Sequence, residues 1–176
     1  MKNIVLVGFM GTGKTSTGKV LAQRLGKAFI DMDSRIEDEQ GTTIPKIFET
    51  KGEAHFRQLE KELAKKLSER ANAVISTGGG TIKDPENVAL LKKSGLIVCL
   101  TATPEVILER TGRKGERPVL DGADQGDRLA AIEKLLAERE GLYRQADYFV
   151  DTGDLSPLQV AERIVHMLKT RGELHG

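Results

Sequence analysis

Gly8-Phe9-Met10-Gly11-Thr12-Gly13-Lys14-Thr15 follows a short apolar run, Ile4 to Val7. After it, Val20, Leu21 and Leu25 recur at helical spacing until Gly26. The octet fits G-x-x-x-x-G-K-[ST] between a strand and a helix, the context that this motif requires. Its glycines allow a sharp turn with N–H groups aimed at phosphate oxygens, and the helix start adds partial positive charge. Lys14 is expected to reach the β- and γ-phosphates, and the Thr15 hydroxyl to hold Mg²⁺. Gly11, Thr12, Gly13 and Ser16 belong to the same expected nucleoside triphosphate site. The competing reading is a Gly-rich turn that binds nothing, and a chance match has a probability of about one per cent.

Outward from this loop, short apolar runs alternate with helical patterns, which predicts βαβ units and a parallel sheet. Strands are expected at Ile4–Val7, Phe29–Ile30, Ala73–Ser76 and Leu96–Leu100, with a weak edge strand at Tyr148–Val150. Helices are expected over Arg57–Arg70, Pro85–Lys93, Pro104–Arg110, Arg128–Tyr143 and Pro157–Lys169. Pro85, Pro104 and Pro157 sit where a first turn tolerates proline best. Glu37 to Glu53 reads as short helices inserted beside the sheet. Thr111 to Gly126, rich in Gly, Arg and Asp and without periodicity, reads as either disordered or a functional lid.

The 176 residues suit one domain. Hydrophobic residues make up 39% and charged residues 30%, which argues against disorder. No run reaches the ~18 apolar residues of a spanning helix, and no signal peptide is expected. A formal charge of +1 gives no bulk field for nucleic acid. One cysteine excludes an internal disulfide framework, so a reduced, cytoplasmic protein without membrane or nucleic-acid partners is expected. Cys99, inside an apolar run, reads as a buried small hydrophobe, and the three histidines receive no role.

A second group of residues fits an acceptor site. Asp31 and Asp33 end a strand, where both could line the crevice at the sheet's carboxyl edge. Asp31 would face the metal through water, and Asp33 would accept hydrogen bonds from a hydroxyl. Alternatively, Asp33 only caps a helix starting at Ser34. Gly78, Gly79 and Gly80 follow a strand directly, and their backbone N–H groups could approach a ligand closely. A flexible loop is the plainer reading.

Taken together, GFMGTGKT, DMDSRIE, GEAHFRQLE, STGGG, ERPVL and REGLYR resemble the shikimate kinase family, in order, from Lys2 to about Lys169. The resemblance implies a P-loop three-layer α/β/α fold with five parallel strands in order 2-3-1-4-5. It implies one kinase domain over 1–176, with a substrate-binding segment at about 33–60 and a lid at about 111–126. It also implies transfer of the γ-phosphoryl of ATP, with Mg²⁺, to the 3-hydroxyl of shikimate in aromatic amino acid biosynthesis, by a protein expected to be a monomer. By the same resemblance Asp33 meets the substrate hydroxyls and assists loss of the acceptor proton. Arg57 and Arg139 hold the substrate carboxylate, a task suited to a guanidinium fork. Gly79 meets the substrate by its backbone, Arg117 closes over the phosphates, and Arg110 lies against the adenine. Some members carry a basic residue just before the proline after the last strand. Here Asp151 to Pro157 lacks it, so that base contact is left unassigned.

Two other readings compete. One is a kinase for another hydroxylated compound, such as gluconate or a nucleoside monophosphate. The other is a silent nucleotide-binding module, against which stands the retention of both Lys14 and Thr15. A GTPase is disfavoured because no Asn-Lys-x-Asp string is present.

Overall fold

The computed structural model describes residues 2–9, 12–111 and 125–174. Among them, five strands form one parallel sheet: β1 (Asn3–Gly8), β2 (Ala28–Asp31), β3 (Ala73–Ser76), β4 (Gly95–Thr101) and β5 (Tyr148–Asp151). Their spatial order is β2-β3-β1-β4-β5, as the resemblance implied, with β5 at an edge as expected. The α/β fold expected from the alternation is therefore the fold observed.

Alternation along β1 sorts the core into two layers. Val5 and Val7 face one layer, where they pack with Leu63, Leu67 and Leu91. Ile4 and Leu6 face the other, with Leu21, Ile164 and Leu168. Every residue of β1 is buried, which is why this strand reads as an unbroken apolar run rather than an alternating one. The helices are α1 (Lys14–Leu25), α2 (Met32–Gln40), α3 (Ile44–Lys51), α4 (Glu53–Ser68), α5 (Pro85–Ser94), α6 (Pro104–Arg110), α7 (Gln125–Tyr143) and α8 (Pro157–Thr170). α1 and α8 cover one face, and α4 and α5 the other.

Local signals account for most of the helix ends. Pro85, Pro104 and Pro157 each open a helix behind a capping Asp84, Thr103 or Ser156. Ser156 and Gln159 form a reciprocal capping box. Glu37 to Glu53 does hold short helices, the end of α2 and all of α3, but α2 starts at Met32. α4 begins at Glu53 instead of Arg57, because Gly52, at φ 87°, ends α3 and lets the chain turn directly into it. A 3-10 turn at Thr81–Lys83, unforeseen in the sequence, follows β3.

Of the expected lid, 112–124 lie outside the described residues. Thr111 is a buried residue ending α6, its hydroxyl donating to Ile107 O at 2.7 Å. At the other margin, 125–126 belong to the first turn of α7, which starts earlier than the expected Arg128. No helix among the described residues is long and apolar enough to cross a membrane.

Candidate active site

The carboxyl ends of β1, β2 and β3 open into one crevice of about 580 Å³, lined by residues of the phosphate loop, Asp31, Asp33, Thr77, Gly78, Gly79 and Arg110. Ligands of open α/β sheets bind at such an edge.

On the nucleotide side, Gly13 is the N-cap of α1 at φ 84° and offers no side-chain cap. Backbone N–H groups of the first turn are thus left for an anion. Thr12, 2% exposed, braces the loop from inside, its Oγ1 donating to Phe9 O at 2.7 Å. Lys14 Nζ donates to Gly8 O at 2.6 Å and Phe9 O at 3.3 Å. Ser16 is exposed on the first turn of α1. Arg110, at the end of α6, donates to Thr152 Oγ1 at 2.9 Å and Gly153 O at 2.6 Å, tying α6 to the turn after β5. Gly11 and Arg117 lie outside the described residues.

Thr15 Oγ1 donates to Asp31 Oδ2 at 2.8 Å, so a hydroxyl and a carboxylate meet beside the loop. Asp31 also caps α2, its Oδ1 accepting from Ser34 N at 3.1 Å. The capping alternative considered for Asp33 is therefore incorrect. The helix starts two residues earlier than Ser34, Asp31 is its cap, and Asp33 stands in the first turn with its side chain on the crevice.

Burial pushes the Asp33 carboxyl up to about 6, aided by the negative charges of Asp31 and Glu60 and opposed by Lys14. Its oxygens lie over the glycine loop. A Cβ at Gly78 would stand 2.5 Å from Asp33 Oδ1, and one at Gly80 would stand 2.7 Å from Arg57 Nη1. These contacts give Gly78 and Gly80 a further role. The Gly78 N–H is already engaged by Thr81 Oγ1 at 3.0 Å, and the lack of side chains makes room for Asp33 and Arg57. Arg139 arrives from α7, its Nη1 donating to Gly79 O at 3.4 Å. Two arginines from α4 and α7 thus converge on one loop beside Asp33.

Glu60, which the sequence reading did not single out, connects these parts. It is 1% exposed. Its Oε1 accepts from Arg57 Nη1 at 3.0 Å and its Oε2 from Thr81 Oγ1 at 2.8 Å. Glu53 adds a longer contact to Arg57 Nη2 at 3.4 Å. The available signal was the i,i+3 spacing of Arg57 and Glu60 on α4, which a helix full of Lys and Glu disguises. Cys99 is buried in β4 and its thiol is pushed up to about 11 by burial, in keeping with its reading as a small hydrophobe.

A Gly-x-x-x-x-Gly-Lys-Thr sequence leading into α1, a hydroxyl–carboxylate pair beside it and a half-buried acid across the crevice, on a 2-3-1-4-5 parallel sheet, fit the class of P-loop phosphotransferases. Known proteins narrow the class. A sequence model of the family described as shikimate kinase matches residues 10–169. A shikimate kinase from Pelotomaculum thermopropionicum is 51% identical, the match covering 96% of each chain. The solved structure of a shikimate kinase from Acinetobacter baumannii in complex with shikimate superposes with a TM-score of 0.88 at 38% identity, covering 97% of this chain and 94% of that one. That from Aquifex aeolicus gives 0.83 at 39% identity, covering 97% of this chain and 98% of that one. The chain belongs to the shikimate kinase family.

Proposed function

We propose that this chain transfers the γ-phosphoryl group of ATP to the 3-hydroxyl of shikimate, giving shikimate 3-phosphate and ADP. The observation that carries this reading is the convergence of Asp33, Arg57 and Arg139 on Gly78–Gly80, across one crevice from the phosphate loop. An acid beside two guanidinium forks suits an acceptor with hydroxyls and one carboxylate.

ATP is held by the N–H groups of the loop and of the first turn of α1, from Gly11 to Ser16. Lys14 exchanges the carbonyls of Gly8 and Phe9 for phosphate oxygens. The donor set suits Mg²⁺: Thr15 and Asp31 offer hard oxygens, and this ion is commonly held by one or two protein oxygens together with phosphate and water. Thr15 and, through water, Asp31 would hold Mg²⁺, which would supply neutralisation of phosphate charge. Arg110 is assigned to the base, and Arg117, outside the described residues, to the phosphates.

Shikimate is oriented by its carboxylate between Arg57 and Arg139, with the backbone of Gly78–Gly80 alongside. The acceptor hydroxyl donates to Asp33, which takes its proton as the new O–P bond forms and the bond to ADP breaks. An acid near 6 is mostly ionised at neutral pH while still basic enough to accept that proton.

An ADP-release assay comparing shikimate, gluconate and nucleoside monophosphates tests the reading. Turnover is expected with shikimate, and a preference for another acceptor overturns it. Arg57→Ala is expected to weaken shikimate binding by roughly ten- to a hundred-fold, the worth of a charge-assisted contact, with ATP binding largely intact. Arg57→Lys is expected to hurt as well, since a point charge cannot replace the fork. Titration of each variant with shikimate checks this, and unchanged affinity would return Arg57 to the surface face of α4.

A further inference from the structure

Phe9 joins the two halves of the site through different atoms. Its backbone belongs to the phosphate loop, where its carbonyl accepts from Thr12 Oγ1 at 2.7 Å and Lys14 Nζ at 3.3 Å. Its side chain serves the other half. The ring is 1% exposed and packs against Ile107 of α6 and Ile132 of α7. The Arg139 guanidinium lies over it, Cζ 5.3 Å from the ring centroid.

Arg57 and Arg139 each lie over a phenylalanine ring, Phe56 and Phe9, with Cζ 5.3 Å from the centroid in both cases, and they differ in their other partners. Arg57 is held by the carboxylates of Glu60 and Glu53, which occupy some of its donors and offset its charge. Among the described residues Arg139 has no carboxylate of this kind and rests on the Phe9 face, on Gly79 O and beside the Tyr143 hydroxyl. A ring attracts a cation through its quadrupole without accepting at the edge of the fork. It thus fixes the guanidinium while leaving edge N–H groups and the positive charge to a ligand. The support is rigid, because a buried, close-packed ring has little freedom to tilt.

We propose that Phe9 is a positioning residue for the acceptor: its ring orients Arg139 toward the substrate carboxylate, so this phosphate-loop side chain sets affinity for shikimate more than for ATP. The inference rests on the proposed role of Arg139. The usual expectation for a residue between Gly8 and Lys14 is the reverse, an effect on nucleotide binding.

The test replaces Phe9 at nearly constant shape with mono-, di- and trifluorinated phenylalanine, which drains the ring's negative face stepwise. Phe9→Leu is the coarser second variant. KM for shikimate is expected to rise in step with fluorination, to about three-fold at the last step and about five-fold in Phe9→Leu. KM for ATP is expected to stay within about two-fold, and thermal stability to fall only in Phe9→Leu. In an Arg139→Ala background the fluorination series is expected to be flat, since coupling vanishes when either partner is gone. A flat series in the unmodified background, with Arg139→Ala still raising KM for shikimate, would overturn the role of Phe9 and make it a packing residue. A rise in KM for ATP alone would likewise overturn it. If Arg139→Ala leaves KM for shikimate unchanged, the proposed role of Arg139 itself fails, and the proposal with it.

Discussion

Lys14→Ala is expected to cut turnover by at least about a hundred- to a thousand-fold, the loss seen when one preorganised donor to developing charge is removed. Phosphoryl transfer asks the protein mainly for positioning and charge neutralisation, so the loop lysine has no chemical substitute among the backbone donors. The fold is expected to survive. Phe9 O, which Lys14 contacts, also accepts from Thr12 Oγ1, and Gly13 retains its place at the start of α1. Steady-state turnover at saturating ATP and shikimate, read beside a thermal melt, separates the two effects. Turnover within two-fold of the parent would remove the phosphate-loop assignment, and collapse of the melt would show that Lys14 holds the loop together.

The readable parts of this protein were those whose signal is local. β1 is buried on both faces and so appears as a continuous apolar run. Three helices announce themselves with proline after a capping residue. The phosphate loop stands complete in consecutive residues. Strand order was available only through the resemblance, because β2 lies beside β3 and not beside β1, and four residues of β2 carry no record of their neighbour.

The acceptor side was harder for the same reason. Arg57 and Arg139 come from α4 and α7, far apart in sequence, and meet only at Gly78–Gly80. Nothing in the sequence of a helix rich in Lys and Glu marks Glu60 as buried, yet the packing of α4 takes it to 1% exposure. Phe9 occupies a variable position of its motif, where the pattern is silent about which way a side chain turns. The glycines were visible, but their reason was not: the space they leave is filled by Asp33 and Arg57.

Asp33→Asn is expected to move activity and stability in opposite directions. Burial first, then Asp31 and Glu60, raises the Asp33 carboxyl from 3.8 to about 6 in the folded chain. The folded protein therefore binds this proton more tightly than the unfolded chain does. The stability this contributes is complete below about pH 4 and is lost as pH rises through about 6. At pH 8 the ionised group strains the fold by roughly 1–3 kcal/mol, after allowance for solvent at the crevice. An uncharged amide of the same shape avoids that strain, so Asp33→Asn is expected to melt about 3–8 °C higher at pH 8. The gain should disappear below about pH 4, where the parent is itself neutral. Turnover should fall by about 10²–10⁴-fold, the usual worth of a positioned base, because an amide cannot take the hydroxyl proton. The parent's kcat/KM for shikimate should rise with pH through a single ionisation near 6, and that step should be missing in the variant's residual activity. Melts of both proteins at pH 4 and pH 8, beside pH–rate profiles, measure all of this. An asparagine variant with parental turnover would show that Asp33 only orients the hydroxyl. A variant less stable than the parent at pH 8 would show that its charge is favourably paired, contrary to the burial argument.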